Sequence, residues 1–252
     1  MPLLSKAVVA CLAGLLTLSA TWAQGQETDL GLFSHGIETQ PPARWKPQFH
    51  PDIAQHTDLS LIRDEEELLL KVQSEQGYGS WAYLFDEPTQ VETLSWLWRV
   101  QSHPSGADLT TQKGDDSAIK VCLFVDIDES RLSFGTRLAL GAARTLSGES
   151  LPAATLCYQW SSRPHEVEIF NNPYTDRVRN VVLRSSPSGD IWYAQSRQVR
   201  EDVIQAFGAE LPREGGVAQV RLLGLAIGGD ADNTQSSSLA FLKSLSLHLI
   251  GP

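Results

Sequence analysis

Residues 91–100 (VETLSWLWRV) form the clearest alternating segment of the chain. Because side chains in a strand alternate between its two faces, Leu94, Trp96, Trp98 and Val100 fall together on one face. Four large apolar side chains on one face need a second apolar layer to cover them. The segment therefore predicts a strand that contributes one face to a core, and it assigns both tryptophans to core packing.

Nine more segments have strand character and are spaced ten to twenty residues apart. They are 58–63, 67–72, 77–85, 119–126, 155–160, 178–184, 191–197, 220–227 and 239–250. Only residues 200–208 show a helical period, and we expect 141–154 to be a loop. No strand–helix–strand rhythm is present. The pattern predicts an all-β fold, an antiparallel two-sheet β-sandwich or jelly roll with one short helix.

The N-terminus has the order of a secretory signal peptide. One lysine, an apolar run of about a dozen residues and a group of small residues follow one another within residues 1–23. We expect this segment to be removed. Residues 24–44 are polar and are expected to form a linker or loose arm, followed by a single domain over 45–252. The predicted location is the periplasm or the medium outside the cell.

The acidic composition limits the partners. The net charge is −10, which disfavours nucleic acid and anionic lipid. No later segment is long and apolar enough to span a membrane. Cys122 and Cys157 lie in expected strands, and the sequence leaves open whether they form a disulfide or remain two small buried residues. Neither has the spacing of a zinc or redox motif.

Common catalytic motifs are missing from the sequence. There is no nucleophile elbow, no zinc-protease motif and no phosphate-binding loop. Asp115 and Asp116 precede one strand, and Asp126 and Asp128 end it. Paired carboxylates are what glycosidic cleavage requires, but polar loops at strand ends have the same composition. Both interpretations remain open.

Several aromatic residues suggest a binding surface. The apolar face of a sugar stacks on tryptophan, and its hydroxyls need polar neighbours. Trp160 and Trp192 have polar neighbours in sequence, and Trp160 is the platform that we assign. Asn172 and Tyr174 lie in a turn rich in Asn and Pro, whose amides are available to a ligand.

The stretch GGDADNT (228–234) resembles the beginning of a calcium loop. It fails the helix–loop–helix pattern, because Thr234, Gln235 and Phe241 occupy positions five, six and twelve. Asp230, Asp232 and neighbouring carbonyls still offer oxygen ligands, so calcium is the one cofactor that we consider. The alternative is a connection between two strands, with Gly228 and Gly229 permitting the turn.

Seven short pieces of sequence, in order, resemble a bacterial family known as domain of unknown function 3047. They are 94–100 (LSWLWRV), 113–116 (KGDD), 158–160 (YQW), 172–175 (NPYT), Arg179, 202–208 and 230–234 (DADNT). The resemblance implies a secreted single-domain protein with an architecture similar to carbohydrate-binding sandwiches, and it implies no established reaction.

The resemblance also implies that the polar pieces form one site. That site comprises Lys113, Asp115, Asp116, Arg179, Asp230, Asp232 and Asn233. Two positions depart from the family pattern, with Leu97 in place of an expected basic residue and Gln235 in place of an expected glycine. These departures bring into question any function that needs charge at that sheet face or a very tight final loop.

Three functions are compatible with these observations. The first is a non-catalytic binding module for a glycan or a similar polar ligand. The second is a hydrolase or lyase that uses carboxylates to cleave a polysaccharide. The third is a structural envelope protein without a small-molecule ligand. The absence of nucleophile motifs and the aromatic strands favour the first.

Overall fold

The computed structural model describes residues 26–34, 39–147, 151–165, 169–185 and 187–250. The expected signal peptide lies outside these residues. The strands are β1 Gln26–Thr28, β2 Trp45–Gln48, β3 Asp58–Asp64, β4 Glu67–Glu75, β5 Tyr78–Thr89, β6 Val91–Ser102, β7 Lys120–Val125, β8 Thr155–Ser161, β9 Ile169–Asn171, β10 Val178–Ser185, β11 Tyr193–Gln198, β12 Arg213–Glu214, β13 Val217–Ala218, β14 Leu222–Asp230 and β15 Ser237–Leu249. The α-helices are α1 Phe134–Ser147 and α2 Val199–Phe207.

Two large sheets make up the domain. Sheet A has the order β11-β6-β15-β4-β3, and β1 pairs with β15. Sheet B has the order β2-β5-β14-β7-β8-β10-β9. β12 and β13 form a separate hairpin. The prediction of an all-β, two-sheet sandwich is confirmed.

The inward faces of the two sheets form one continuous core. Trp96 and Trp98 of sheet A are buried there, and their rings contact Tyr158 and Trp160 of sheet B. The apolar face expected for β6 is therefore confirmed as core. On sheet B, Val121, Leu123 and Val125 of β7 face this core, so Lys120 and Cys122 face outward.

Two features of the helices and strands differ from the expected fold. The segment 134–147 is a second helix, α1, although half of it was expected to belong to a loop. Its Leu140 packs in a small satellite cluster with Leu132 and Ala153, while Phe134 is 75% exposed. The helix thus contributes little to the main core, and glycines within it weaken its helical pattern. The strand pair β8–β10 is parallel, in contrast to the antiparallel order expected throughout.

Residues 26–34, which belong to the expected N-terminal arm, are also part of the fold. β1 pairs with the C-terminal half of β15, and Leu30 and Leu32 are buried in the core. The Trp45 indole donates a hydrogen bond to the Leu30 carbonyl at 3.1 Å. Residues 26–34 therefore pack against the sandwich, because their two leucines and the unpaired edge of β15 both find partners there.

The two cysteines are joined in a disulfide. Cys122 and Cys157 lie directly opposite each other on β7 and β8, with their Cα atoms 4.0 Å apart. This resolves the alternative that the sequence left open. In the part of the chain that the structure describes, no helix is long and apolar enough to cross a membrane.

Candidate functional site

Three neighbouring strands of sheet B bring polar side chains to one end of the sheet. Asp230 ends β14, and it pairs in register with Tyr78 at the start of β5. Lys120 starts β7 and pairs with Gly228, two residues before Asp230. Because alternate residues share a face, Lys120, Tyr78 and Asp230 all lie on the outward face of the sheet.

Lys120 and Asp230 form a buried ion pair. The Lys120 ammonium bonds the Asp230 carboxylate, and the two side chains are 17% and 5% exposed. The ammonium also lies 5.0 Å from the centre of the Tyr78 ring. Burial opposes the charge on Lys120, but Asp230 and Tyr78 more than offset it, so the pKa of Lys120 is raised. Burial likewise raises the pKa of Asp230 against the opposing effect of Lys120.

Asp116 holds the loop that follows β14. Its Oδ2 accepts hydrogen bonds from the Thr234 backbone N–H at 2.7 Å and from the Thr234 hydroxyl at 2.5 Å. Its Oδ1 accepts from the backbone N–H and the side-chain amide of Asn233, both at 3.2 Å. Asp116 is 2% exposed, so these four bonds satisfy a carboxylate that water does not reach. Hydrogen bonds thus hold the stretch GGDADNT against residues 115–117.

The loop is tight although it lacks the expected glycine. Gln235 adopts a φ of 51°, a left-handed conformation that glycine would reach without steric cost. The expectation that Gly228 and Gly229 permit this turn is wrong, because both belong to β14. A Cβ on Gly228 would lie 2.3 Å from the Gly79 carbonyl oxygen, so this glycine allows β14 and β5 to approach closely.

A second carboxylate, Asp115, faces the turn between β9 and β10. The Asn172 side-chain amide donates to Asp115 Oδ2 at 2.5 Å, and Asn172 Oδ1 accepts from the Tyr174 backbone N–H at 2.9 Å. The Tyr174 hydroxyl lies 2.5 Å from Asn233 Oδ1 and 2.9 Å from the Gln112 carbonyl oxygen. Three loops therefore meet at one place, while the Tyr174 side chain remains largely exposed.

We refer to Asp115, Asp116, Asp230 and Asp232 as the acidic cluster. Burial, together with the neighbouring carboxylate of Asp230, raises the pKa of Asp115 to about 6, although Lys120 opposes this shift. Burial and the charges of Asp230 and Asp116 raise the pKa of Asp232 to about 6. Two carboxyl groups with a pKa of about 6 in one cluster are typical of functional sites. Structural ion-pair networks also produce such pKa shifts.

The donor set of the cluster does not fit a calcium ion. Oxygens of Asp116, Asp230 and Asp232 lie within 4.8 Å of one another, a spacing suited to a cation. However, both oxygens of Asp116 are occupied by the loop, and Asp230 is bonded to Lys120 and to the Ser117 N–H. Asp232 Oδ1 is the buried oxygen of this set without a partner in the described chain. Calcium requires six to eight oxygen ligands, and here the Lys120 ammonium supplies the positive charge.

Three predicted site residues make no hydrogen bond or ion pair with the acidic cluster within the described part of the chain. Trp160 is 2% exposed in the core, where its ring contacts Trp98 and Tyr193, so it cannot stack on a ligand. Its inward position follows from the period of β8, which places Leu156, Tyr158 and Trp160 on one face. The Arg179 guanidinium donates to the Ala206 carbonyl at 2.7 Å, at the end of α2, and stacks on Phe207. Lys113 is exposed in the 3₁₀ helix Gln112–Gly114.

The remaining seven predicted residues are brought together. They are Asp115, Asp116, Asn172, Tyr174, Asp230, Asp232 and Asn233. The site also contains Lys120, Tyr78 and Thr234, which the sequence does not predict as site residues. The sequence does contain an indication for Lys120, because a lysine at the start of an otherwise apolar strand needs a partner for its charge. Tyr78 has no comparable local signal, since only the register with β14 places it beside Asp230.

Comparison with known proteins agrees with the family resemblance. No curated protein sequence matches the chain. A solved structure with a similar arrangement is the family 11 carbohydrate-binding module of the cellulosomal cellulase Lic26A-Cel5E of Clostridium thermocellum. It shares 8% identity at a TM-score of 0.35, and the match covers 85% of this chain and 95% of that one. Residues 43–246 match the profile of the family described as "Protein of unknown function (DUF3047)". The chain belongs to this family of unknown function, DUF3047.

Proposed function

We propose that the protein is a non-catalytic binding module whose ligand site is the exposed side of the acidic cluster. The ligand class that fits is a neutral or cationic glycan, or a similar polar ligand. The observation that carries the proposal is the position of Tyr174. Its side chain is 57% exposed, and its hydroxyl is fixed by Gln112 and Asn233 beside Asp115.

This arrangement combines the two elements that sugar recognition needs. The ring of Tyr174 offers an apolar face that is held in place before any ligand arrives, which lowers the entropy cost of binding. Asp115 and Asp232 border it with carboxylate oxygens that accept hydrogen bonds from hydroxyl groups. The acidic charge disfavours anionic ligands at this site, so neutral and cationic saccharides are expected to bind more tightly than acidic ones.

We also infer that the protein works in the periplasm or outside the cell. The signal-peptide pattern of residues 1–23 supports this location. The Cys122–Cys157 disulfide supports it as well, because such bonds persist in oxidising compartments. The net charge of −10 makes nucleic acid an unsuitable partner.

The test is a glycan array followed by calorimetric titration of the hits. Tyr174→Ala should abolish or strongly weaken binding, whereas Tyr174→Phe keeps the ring but loses the hydroxyl contacts that hold it, so it should weaken binding by less. Asp115→Asn should weaken binding, and Asp86→Asn, at an exposed position of β5, is the matched control. A hit whose affinity is the same in wild type and Tyr174→Ala would place the binding site elsewhere and would refute this proposal.

A second candidate function is carboxylate-based cleavage of a polysaccharide. The raised pKa values of Asp115 and Asp232, each about 6, favour it, because a general acid or base works best near the ambient pH. Release of reducing ends or unsaturated products from a bound polysaccharide would support cleavage. Loss of that activity in both Asp115→Asn and Asp232→Asn is then required, and unchanged turnover would exclude these carboxylates as catalytic groups.

A further inference from the structure

The outward face of sheet A carries a row of side chains that differs from the rest of this acidic protein. On β6, Arg99 pairs in register with Phe241 of β15, and Phe241 pairs with Lys71 of β4. Trp192 immediately precedes Tyr193, which pairs with Trp98, so it lies beside Arg99. Across the sheet, the row therefore consists of Trp192, Arg99, Phe241 and Lys71, in that order.

Arg99 lies between two aromatic rings. Its guanidinium carbon is 4.9 Å from the centre of the Trp192 ring and 4.5 Å from the centre of the Phe241 ring. Such contacts fix the plane of the guanidinium and partly desolvate it. Phe241 is 6% exposed although it lies outside the main core, so the overlying side chains shield it from water.

The hydrogen-bonding capacity of Arg99 is not used within the described chain. Arg99 Nε is buried and has no hydrogen-bond partner there. By contrast, the neighbouring cations Lys71 and Lys243 are paired, with Asp58 at 3.1 Å and with Glu67 respectively. A fixed guanidinium with unused donors is prepared for a planar anion such as a carboxylate, which it can bind through two parallel bonds.

Lys243 is a second cation beside Trp192, and Glu67 forms an ion pair with it. Its ammonium lies 4.8 Å from the Trp192 ring centre, and Lys243 pairs in register with Leu97. Leu97 is the position where the family pattern suggests a basic residue. A basic side chain therefore lies opposite Leu97 despite the departure, although it is paired with Glu67.

We propose that the outward face of sheet A is a second binding site, which takes a saccharide chain bearing carboxylate groups. Arg99 would bind one carboxylate, and the partly buried Trp192 ring would contact the apolar face of an adjoining sugar. Arg99 selects this occupant, because its guanidinium donors have no partner within the described chain, whereas Asp58 and Glu67 neutralise the neighbouring Lys71 and Lys243. This site is separate from the acidic cluster, which lies on sheet B and disfavours the same ligand.

The test is calorimetric titration of the full-length protein with hexagalacturonate at low ionic strength. Saturable binding is expected, with Arg99→Gln about 10- to 100-fold weaker, the usual effect of losing charge-assisted hydrogen bonds. Arg99→Lys keeps the positive charge but lacks the parallel N–H donors of a guanidinium. Its affinity should therefore lie between those of the wild type and Arg99→Gln. Arg137→Gln removes the same charge from an exposed position of α1 and is the matched control. Fully methyl-esterified hexagalacturonate should not bind.

Three results would overturn the proposal. They are no binding of hexagalacturonate by the wild type at millimolar concentration, equal weakening by Arg99→Gln and Arg137→Gln, and equal binding of the methyl ester. Thermal unfolding checks that each variant is folded, and Trp192→Ala is a second variant that should also weaken binding. Tyr174→Ala separates this proposal from the previous one, because loss of polyuronate binding in that variant would place the ligand at the acidic cluster instead.

Discussion

Lys120 and Asp230 face each other across the β7–β14 pair, and their ion pair is the electrostatic centre of the acidic cluster. Four carboxylates gather here, and Lys120 is the cation that contacts one of them directly. The Lys120 charge therefore offsets part of the repulsion among these carboxylates. Because both side chains are largely buried, removal of either one should change the free energy of unfolding by a measurable amount.

Lys120→Met should destabilise the protein by about 3–5 kcal/mol, the usual cost of leaving one member of a buried pair without its partner. Urea unfolding measures this change. The double variant Lys120→Met/Asp230→Asn should recover part of the loss. Lys243→Met is the matched control, because its partner Glu67 is 60% exposed, and such a pair contributes about 1 kcal/mol or less. Equal costs at both lysines would contradict the assignment.

Stability should depend on pH through Asp115. The pKa of Asp115 is raised to about 6 in the folded state, so the folded chain holds this proton more tightly than the unfolded chain does. Ionisation therefore destabilises the fold progressively between about pH 4 and pH 6. Asp115→Asn removes this effect and should be more stable relative to wild type at about pH 7 than at about pH 4. A stability difference that is the same at both pH values would contradict the raised pKa.

Removing the disulfide should lower stability without changing the fold. Cys122 and Cys157 are 35 residues apart, and closing such a loop stabilises the folded state by about 4 kcal/mol in the chain-entropy treatment. Cys122→Ala/Cys157→Ala should lower the unfolding temperature while far-ultraviolet circular dichroism remains that of a β protein. A reductant should reproduce the shift in the wild type and have no effect on the double variant.

Calcium should not stabilise the protein. Hydrogen bonds within the protein occupy the carboxylate oxygens of Asp116 and Asp230, so an ion would have to displace Lys120 or the 233–234 loop. Thermal unfolding with millimolar calcium and with a chelator should give the same midpoint. A calcium-dependent rise that is absent in Asp232→Asn would show that Asp232 binds the ion and would refute the displacement argument.

The fold could largely be predicted from periodicity. The strands 58–63, 67–72 and 91–100 were found because alternation is a local property, and they match β3, β4 and β6. Helix α1 was missed because its apolar positions cover only a small satellite cluster. The parallel pairing of β8 with β10 depends on the route of the intervening chain, which no local pattern records.

The site was predictable only in part. Asp116 and Asp232 were grouped correctly through the family motifs, but those motifs do not show what each carboxylate bonds. Trp160 was assigned to the surface because of its polar neighbours in sequence, yet the face of a strand is decided by alternation with Tyr158. Trp192 has similar polar neighbours and does lie on an outward face, beside Arg99.

The last two long strands occupy the middle of the sandwich. β14 lies between β5 and β7 in sheet B, and β15 lies between β6 and β4 in sheet A. During synthesis these two strands are made after all the strands that pair with them. Neither sheet can therefore be completed before its central strand is present. The core of the sandwich therefore cannot be completed until β14 and β15 have both been synthesised.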